Sequence, residues 1–221
     1  MAVNTENFNF DPDQLRDKYR QERDKRLRAD GNDQYKEVEG DFKYFVEDPY
    51  TEKVEKNSEN LITEVAIIGG GFGGILAASR LRMSGIDDFK IIEKGGDFGG
   101  TWYWNKYPGA RCDTESLQYS YQFSEELQQE WEWTEKYARQ PEILNYLNHV
   151  ADRFQLHAHI KLNFDVKNII YKNSLWEISG KNEEKFHANF CIMATGCLSQ
   201  PLNAKIPGIE DFEGECYQSS L

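Results

Sequence analysis

The residues whose types and spacing most plainly suit chemistry are a run of glycines and an acid. Gly69, Gly71 and Gly74 fit G-x-G-x-x-G, with Gly70, Phe72 and Gly73 between them, and Glu93 and Lys94 follow at the end of the next apolar run. In that pattern the first glycine allows a tight turn, the second lets backbone approach a pyrophosphate, and the third lets a helix pack closely on a strand. A helix opening at the same place points N–H groups and a partial positive charge at phosphates. Glu93 is placed to accept hydrogen bonds from ribose hydroxyls, which favours FAD or NAD over a nucleotide with a 2′-phosphate. The plainer readings are a glycine turn that serves packing alone and a solvated carboxylate at a strand end.

A second stretch, "GGTWYWNKYPGARCD" at residues 99–113, suits neither an amphipathic helix nor a half-buried strand and is expected to be a loop. Trp102, Tyr103, Trp104 and Tyr107 would serve as a wall that keeps water from a reactive cofactor. Asp113 beside Arg111 would hold a cation near developing negative charge. Core packing and a surface ion pair are the competing readings. Ala194, Thr195 and Gly196, closing "CIMATG", add small residues where a cofactor crosses strand tips.

The elements that carry these residues follow from periodicity. "EVAIIGG" is a short β-branched run, "GFGGILAASRLRMSG" has a helical apolar pattern stopping at Gly85, and "FKIIEK" is a second buried strand. Together they predict a βαβ unit with a parallel sheet and a right-handed crossover. Gln140 and Pro141 open a helix whose inner face is Ile143, Leu144, Leu147, Val150 and Phe154. "IKLNFDV", "NIIYK" and "LWEIS" predict short antiparallel strands turning at Asn173 and Ser174, and "FHANFCIMATG" a strand returning to the sheet. The expected fold is α/β: a Rossmann-like domain with a parallel sheet and a small antiparallel insert.

Ahead of this domain, residues 1–60 are polar and acidic. Asp11 and Pro12 start a helix with a thin apolar stripe of Leu15, Tyr19 and Leu27, and Gly31 suits its C′ position. The expected division is an extension over 1–60, the dinucleotide domain over 61–200, and the start of a linker over 201–221.

A net charge of −12 and a pI near 4.9 across 221 residues argue against a nucleic-acid partner. No leader and no run of the roughly 20 apolar residues a membrane span needs is visible, so a cytoplasmic protein with no membrane partner is expected. Cys112, Cys191, Cys197 and Cys216 lack C-x-x-C spacing and read as reduced thiols. No metal site is expected, and His149, His157, His159 and His187 read as solvated.

Gly99, Gly100, Trp102, Tyr107, Pro108, Gly109 and Asp113 fit the pattern [AG]-G-x-W-x(4)-[FY]-P-[GM]-x(3)-D. On these residues, and on "CDTES", "YSYQFS", "WEWTEKYARQPEIL", "VADRF" and "PGIEDFEG", the chain resembles the FAD- and NADPH-dependent Baeyer-Villiger monooxygenases from about residue 64 to 214. The acidic extension is similar to one in members that accept large or cyclic ketones. The resemblance implies insertion of oxygen from O2 next to a ketone carbonyl, giving an ester or lactone. It implies that Gly69 to Gly74 and Glu93 hold FAD, that Thr101 to Trp104 line the flavin after Gly100 with Tyr119 nearby, and that Val166 meets the adenine. Arg111, Cys112 and Asp113 would border the meeting of nicotinamide and flavin, Asp113 setting the charge of a catalytic arginine.

The family fingerprint F-x-G-x-x-x-H-x-x-x-W begins at Phe212 and Gly214, but Gln218 stands where histidine belongs and the sequence stops at Leu221. The family's NADPH-binding unit and catalytic arginine come later. A missing C-terminal half is therefore an expected partner, beside a small-molecule ketone and O2. The 221 residues alone are expected to lack turnover. Two rivals remain: a flavin-containing monooxygenase that oxidises nitrogen or sulfur, and a non-catalytic remnant that binds FAD or another nucleotide.

Overall fold

A computed structural model of the chain describes residues 10–31, 48–51, 61–181, 184–198 and 206–217. Gln218, where the fingerprint departs, and residues 201–205 of the expected linker lie outside the described residues. The chain divides into two compact units, Met1–Glu39 and Gly40–Leu221.

The first unit carries helix α1 (Pro12–Arg26). Asp11 caps it, Oδ1 accepting from the Asp13 N–H at 2.9 Å, and Pro12 occupies the first turn, where its missing N–H costs nothing. No residue of α1 is buried, and its exposed Arg16–Asp13 and Lys25–Glu22 pairs contribute only tenths of a kcal/mol each. The helix ends with Leu27 as its C-cap, short of the expected Gly31. Arg28 forks onto Asp30 there and draws the chain into a turn, with Gly31 donating to the Arg28 carbonyl at 3.2 Å.

The second unit is built on one six-stranded sheet: β1 (Leu61–Ile68), β2 (Phe89–Ile92), β3 (Ile160–Lys161), β4 (Val166–Lys172), β5 (Leu175–Gly180) and β6 (Lys185–Met193). Its order is β3-β2-β1-β6-β5-β4, with β3, β2, β1 and β6 parallel and β5 and β4 added antiparallel. Helix α2 (Phe72–Met83) crosses from β1 to β2, and α3 (Thr101–Trp104), α4 (Glu125–Glu130) and α5 (Gln140–Arg153) follow before β3. The expected α/β class with a parallel sheet and an antiparallel portion is the observed one.

Successive side chains of a strand face opposite sides, and β1 fills two cores accordingly. Val65 and Ile67 join Ile75, Phe89, Ile91, Ile143, Leu147 and Val150 under α2 and α5, while Ala66 and Ile68 join Ile92, Phe164, Ile178 and Phe186. The turn at Asn173 and Ser174 forms as expected, both residues having positive φ.

Several expectations are corrected. "IKLNFDV" is not one strand: Ile160–Lys161 runs parallel to β2, and Val166 opens β4, because Asn163 takes a left-handed conformation that turns the chain between them. The stretch 99–113 is not all loop, since α3 forms one helical turn behind Gly100. Helix α4, capped by Ser124 and burying Leu127 alone, was too short to show periodicity. His159 is no solvated histidine, because its ring stacks on buried Phe89 at 4.4 Å. Ile62, Phe190 and Met193 of the central strands remain exposed. Among the described residues no helix is long and apolar enough to cross a membrane.

Candidate functional site

Three strand ends converge where the glycine run begins. The Gly69 N–H donates to the Ile92 carbonyl at 2.9 Å, and the Ala194 N–H donates to the Ile68 carbonyl at 2.8 Å, so β1, β2 and β6 are tied together at their carboxyl ends. Gly69 has φ +109°, and a Cβ there would lie 2.4 Å from the Ala194 carbonyl oxygen. Gly73 packs beside the Ala194 side chain, while Thr195 and Gly196 run on into solvent.

A second loop meets this one backbone to backbone. Gly71 is the N-cap of α2 with no side chain capping it, and Gly100, at φ +53°, is the N-cap of α3. A Cβ on Gly100 would lie 2.8 Å from the Gly71 Cα, and Gly99 donates to the Gly70 carbonyl at 3.0 Å. The two glycine stretches singled out in the sequence are thus one feature, laid at the amino end of α2.

Glu93 is buried, at 5% exposure, which rules out the solvated reading. Its Oε2 accepts from the Gly70 N–H at 2.6 Å and its Oε1 from the Gly95 N–H at 2.7 Å. Burial pushes its pKa up, opposed by those two amides and by the Trp104 side chain. The neighbouring Lys94 is partly buried, which lowers its pKa, and its Nζ lies 5.4 Å from the Trp104 ring centroid.

The four aromatics do not make one wall. Trp102 turns inward, its Nε1 donating to the Tyr119 hydroxyl at 3.1 Å, while its carbonyl accepts from Gln140 Nε2 at 2.5 Å. Tyr119 in turn meets the Phe72 ring edge-on at 4.7 Å, and burial raises its pKa. Tyr103 is also buried, Trp104 and Thr101 are half-buried, and Tyr107 is exposed. The short turn of α3 accounts for this split, since consecutive helical residues point about 100° apart.

The Tyr103 hydroxyl donates to Asp48 Oδ2 at 2.6 Å, and burial followed by that carboxylate pushes its pKa up to about 12. A raised phenol pKa contributes stability that is complete below the ordinary value of 10 and is lost as pH rises through about 12. Alkaline titration of phenolate absorbance is expected to include, among several late tyrosines, a step near 12 that Tyr103→Phe removes. Asp48→Asn should move that step back toward 10; a step that stays put would contradict the contact.

Cys112 is buried, and its N–H donates to the Ala138 carbonyl at 3.0 Å, while Gln140 N–H donates to the Ala110 carbonyl at 2.9 Å. This bridge sets Arg111 opposite Arg139, and both pair with Glu135, at 3.2 and 2.8 Å. The competing reading of a surface ion pair between Arg111 and Asp113 is not met: Glu135, carried on the bridged segment, takes Arg111, and Asp113 is exposed. Val166 opens β4 against Gly180, two residues past Phe164, whose N–H donates to the Glu93 carbonyl at 2.9 Å. Among the described residues no group of three or more His, Cys, Asp or Glu side chains is arranged to hold a metal.

The pyridine nucleotide-disulphide oxidoreductase family profile matches residues 66–220, from the end of β1 onward. The chain belongs to that family. Among its relatives are a Baeyer-Villiger monooxygenase of Streptomyces coelicolor, 38% identical over 93% of this chain and 34% of its own length, and an FAD-binding monooxygenase of Hypomyces subiculosus, 38% identical over 96% of this chain and 35% of its own. A crystal structure of cyclohexanone monooxygenase from Rhodococcus sp. Phi1 bound to NADP+ superposes with TM-score 0.66 at 38% identity, covering 73% of this chain and 31% of that one. The chain therefore spans about a third of the length of the curated relatives it matches.

Within this pyridine nucleotide-disulphide oxidoreductase fold, three residues that the sequence did not single out for the site support its loops. Asp48 holds Tyr103, Gln140 holds the Trp102 carbonyl, and the Tyr121 hydroxyl donates to the Phe72 carbonyl at 2.7 Å. Their partners lie 55, 38 and 49 positions away, so no local spacing announces them.

Proposed function

We propose that the second unit binds FAD and is the FAD-binding portion of a Baeyer-Villiger monooxygenase. The observation that carries this reading is the backbone approach of Gly71 and Gly100 at the uncapped start of α2, beside a buried Glu93. Such a cradle, which any Cβ would fill, fits a pyrophosphate, and the relatives' names supply the chemistry. In this reading the domain covers 61–200 after an extension over 1–60, with residues 48–51 packed onto its loops and a linker starting in 201–221.

Gly69 to Gly74, with Ala194 to Gly196 across the strand tips, would lie along the diphosphate. Glu93 spends lone pairs on the Gly70 and Gly95 amides and on the Trp104 side chain, leaving the remaining one to accept from a ribose hydroxyl. Lys94 and Val166 border the adenosine end, and Gly100, Thr101, Trp104 and Tyr119 the flavin end. Bound FAD would supply the redox chemistry, taking electrons from NADPH and delivering oxygen from O2 to a ketone. Because Arg111 is engaged by Glu135, Asp113 is the carboxylate left to orient an arginine from the remainder of such an enzyme, with Cys112 fixing the loop. We place the activity in the cytoplasm, in line with four free cysteines, acting on a small ketone together with a complementary C-terminal half.

Purified and mixed with FAD, the 221-residue chain is expected to keep a flavin spectrum through gel filtration. FAD at a hundred-fold excess over Kd should stabilise it by about 2.7 kcal/mol. A folded, colourless protein whose melting temperature ignores FAD would overturn the reading. A ketone and a thioether offered with NADPH and a complementary half should give ester from the ketone; sulfoxide alone would favour a nitrogen- or sulfur-oxidising enzyme.

A further inference from the structure

Residues 48–51, which precede the sheet, lie against the loop that joins β2 to α3. Asp48 Oδ2 accepts from the Tyr103 hydroxyl at 2.6 Å, the Gly96 N–H at 2.7 Å and the Thr51 hydroxyl at 2.8 Å, while Oδ1 accepts from the Tyr50 N–H at 2.8 Å. One carboxylate thus gathers four donors, one from the loop at Gly96 and one from Tyr103 in the α3 turn it leads into. The Tyr50 ring meets the Tyr103 ring edge-on at 5.6 Å, and the Lys106 ammonium sits over the Tyr50 ring at 3.6 Å. The contact is close enough to dictate a residue type: a Cβ on Gly96 would lie 2.0 Å from Thr51 Oγ1.

The loop held this way connects the two halves of the nucleotide cradle. At one end Gly95 donates to Glu93 Oε1, and at the other Gly100 abuts Gly71. Tyr103, in the helical turn that Gly100 starts, reaches back so that its hydroxyl also stands 3.3 Å from the Gly96 N–H. The span from the acid to the second glycine is therefore set from outside the Rossmann core. A charged acceptor receiving several short hydrogen bonds is the strongest uncharged-partner arrangement a side chain offers for holding a loop.

We infer that Asp48 is a positioning residue for the FAD site, latching the 95–104 loop through Gly96 and Tyr103 so that Glu93 and Gly100 stand at the spacing the dinucleotide needs. This rests on the FAD reading above. Asp48 touches no part of the nucleotide in this assignment; it acts through Tyr103 and the Gly96 backbone. Its effect belongs to cofactor affinity before any turnover.

The test uses the 221-residue chain and FAD itself, with Asp48→Asn, Thr51→Ala, Gly96→Ala, Tyr103→Phe and the double variant Asp48→Asn with Tyr103→Phe. Measured are the Kd for FAD, the absorption band of bound flavin, the melting temperature without FAD, and amide exchange without FAD. Asp48→Asn is expected to weaken FAD at least about ten-fold, to shift the flavin band, and to speed exchange over residues 95–104 while the strands stay protected. The double variant should bind no worse than the weaker single one, since both remove one interaction. If Asp48→Asn fails to fold, Thr51→Ala carries the same comparison from the 48–51 segment and Gly96→Ala from the loop. FAD affinity within two-fold of wild type in the folded variants would overturn the inference. So would a loss of affinity accompanied by faster exchange across the whole sheet, the mark of general destabilisation. A wild-type chain that takes up no FAD would instead overturn the FAD reading, an outcome visible before any variant is made.

Discussion

Gly74→Ala is expected to destabilise the protein by about 3 kcal/mol, the upper end of the cost of overpacking. The added methyl would sit 1.9 Å from the Gly69 carbonyl oxygen, an obstacle of backbone that cannot rotate away. Gly69 cannot yield either, because the space where its Cβ would lie is already taken by the Ala194 carbonyl oxygen, 2.4 Å away, and its N–H is held by Ile92. For a chain of this size such a loss lowers the melting temperature by roughly 6–12 °C, and α2 shifted off β1 would lose the cradle as well. Gly73→Ala is the control one residue away. A Cβ there meets only the Ala194 side chain at 3.5 Å, an ordinary contact, and alanine is the better helix former. Thermal unfolding of the two variants without FAD checks the contrast, and equal melting temperatures would contradict the packing described.

Glu93→Gln is expected to cost about 1–3 kcal/mol, because the amide turns an N–H donor toward a buried N–H donor of Gly70 or Gly95. The same change should weaken FAD binding, by removing an acceptor from the ribose end and by loosening two glycine loops together. The pH dependence carries the sign of the pKa. Burial raises that of Glu93, so the folded state binds its proton more tightly than the unfolded chain does. Its contribution to stability is then complete below the ordinary carboxylate value of 4.5 and is lost as pH rises through the raised value. Denaturant unfolding at a series of pH values should show the gap between wild type and Glu93→Gln narrowing as pH rises; a gap that widens would contradict a raised pKa.

Much of the scaffold was legible because its signals are local. The glycine spacing, the β-branched run before it and the helix stop at Gly85 all lie within one βαβ unit, and the structure shows β1, α2 and β2 there. Gln140 and Pro141 announced α5 through its first turn and its buried face. The weaker signals were those decided by partners far along the chain. "IKLNFDV" has strand composition, yet its direction depends on which edge of the sheet is vacant, and β2 offered that edge to Ile160–Lys161. The Trp-Tyr-Trp run was readable as aromatic but not as split between core and surface, since that depends on the turn Gly100 starts.

The site followed the same rule. Glu93 was legible as an acid at a strand end, but its burial and its hold on Gly70 and Gly95 come from the folding together of two loops. Arg111 and Asp113 are two positions apart and invited pairing, whereas the bridge to Arg139 delivers Glu135 to Arg111 first. Asp48 lay in a stretch read only as acidic extension; nothing about its neighbours in sequence reveals Tyr103 as its partner.

Amide hydrogen exchange of the 221-residue chain with and without FAD is the measurement closest to the central claim, that two glycine loops and a buried acid form one dinucleotide cradle. FAD is expected to slow exchange in residues 69–74, 93–104 and 194–196 together, and to leave residues 168–172 of the exposed edge strand β4 unchanged. Protection confined to other segments, or in the first loop without the second, would contradict it.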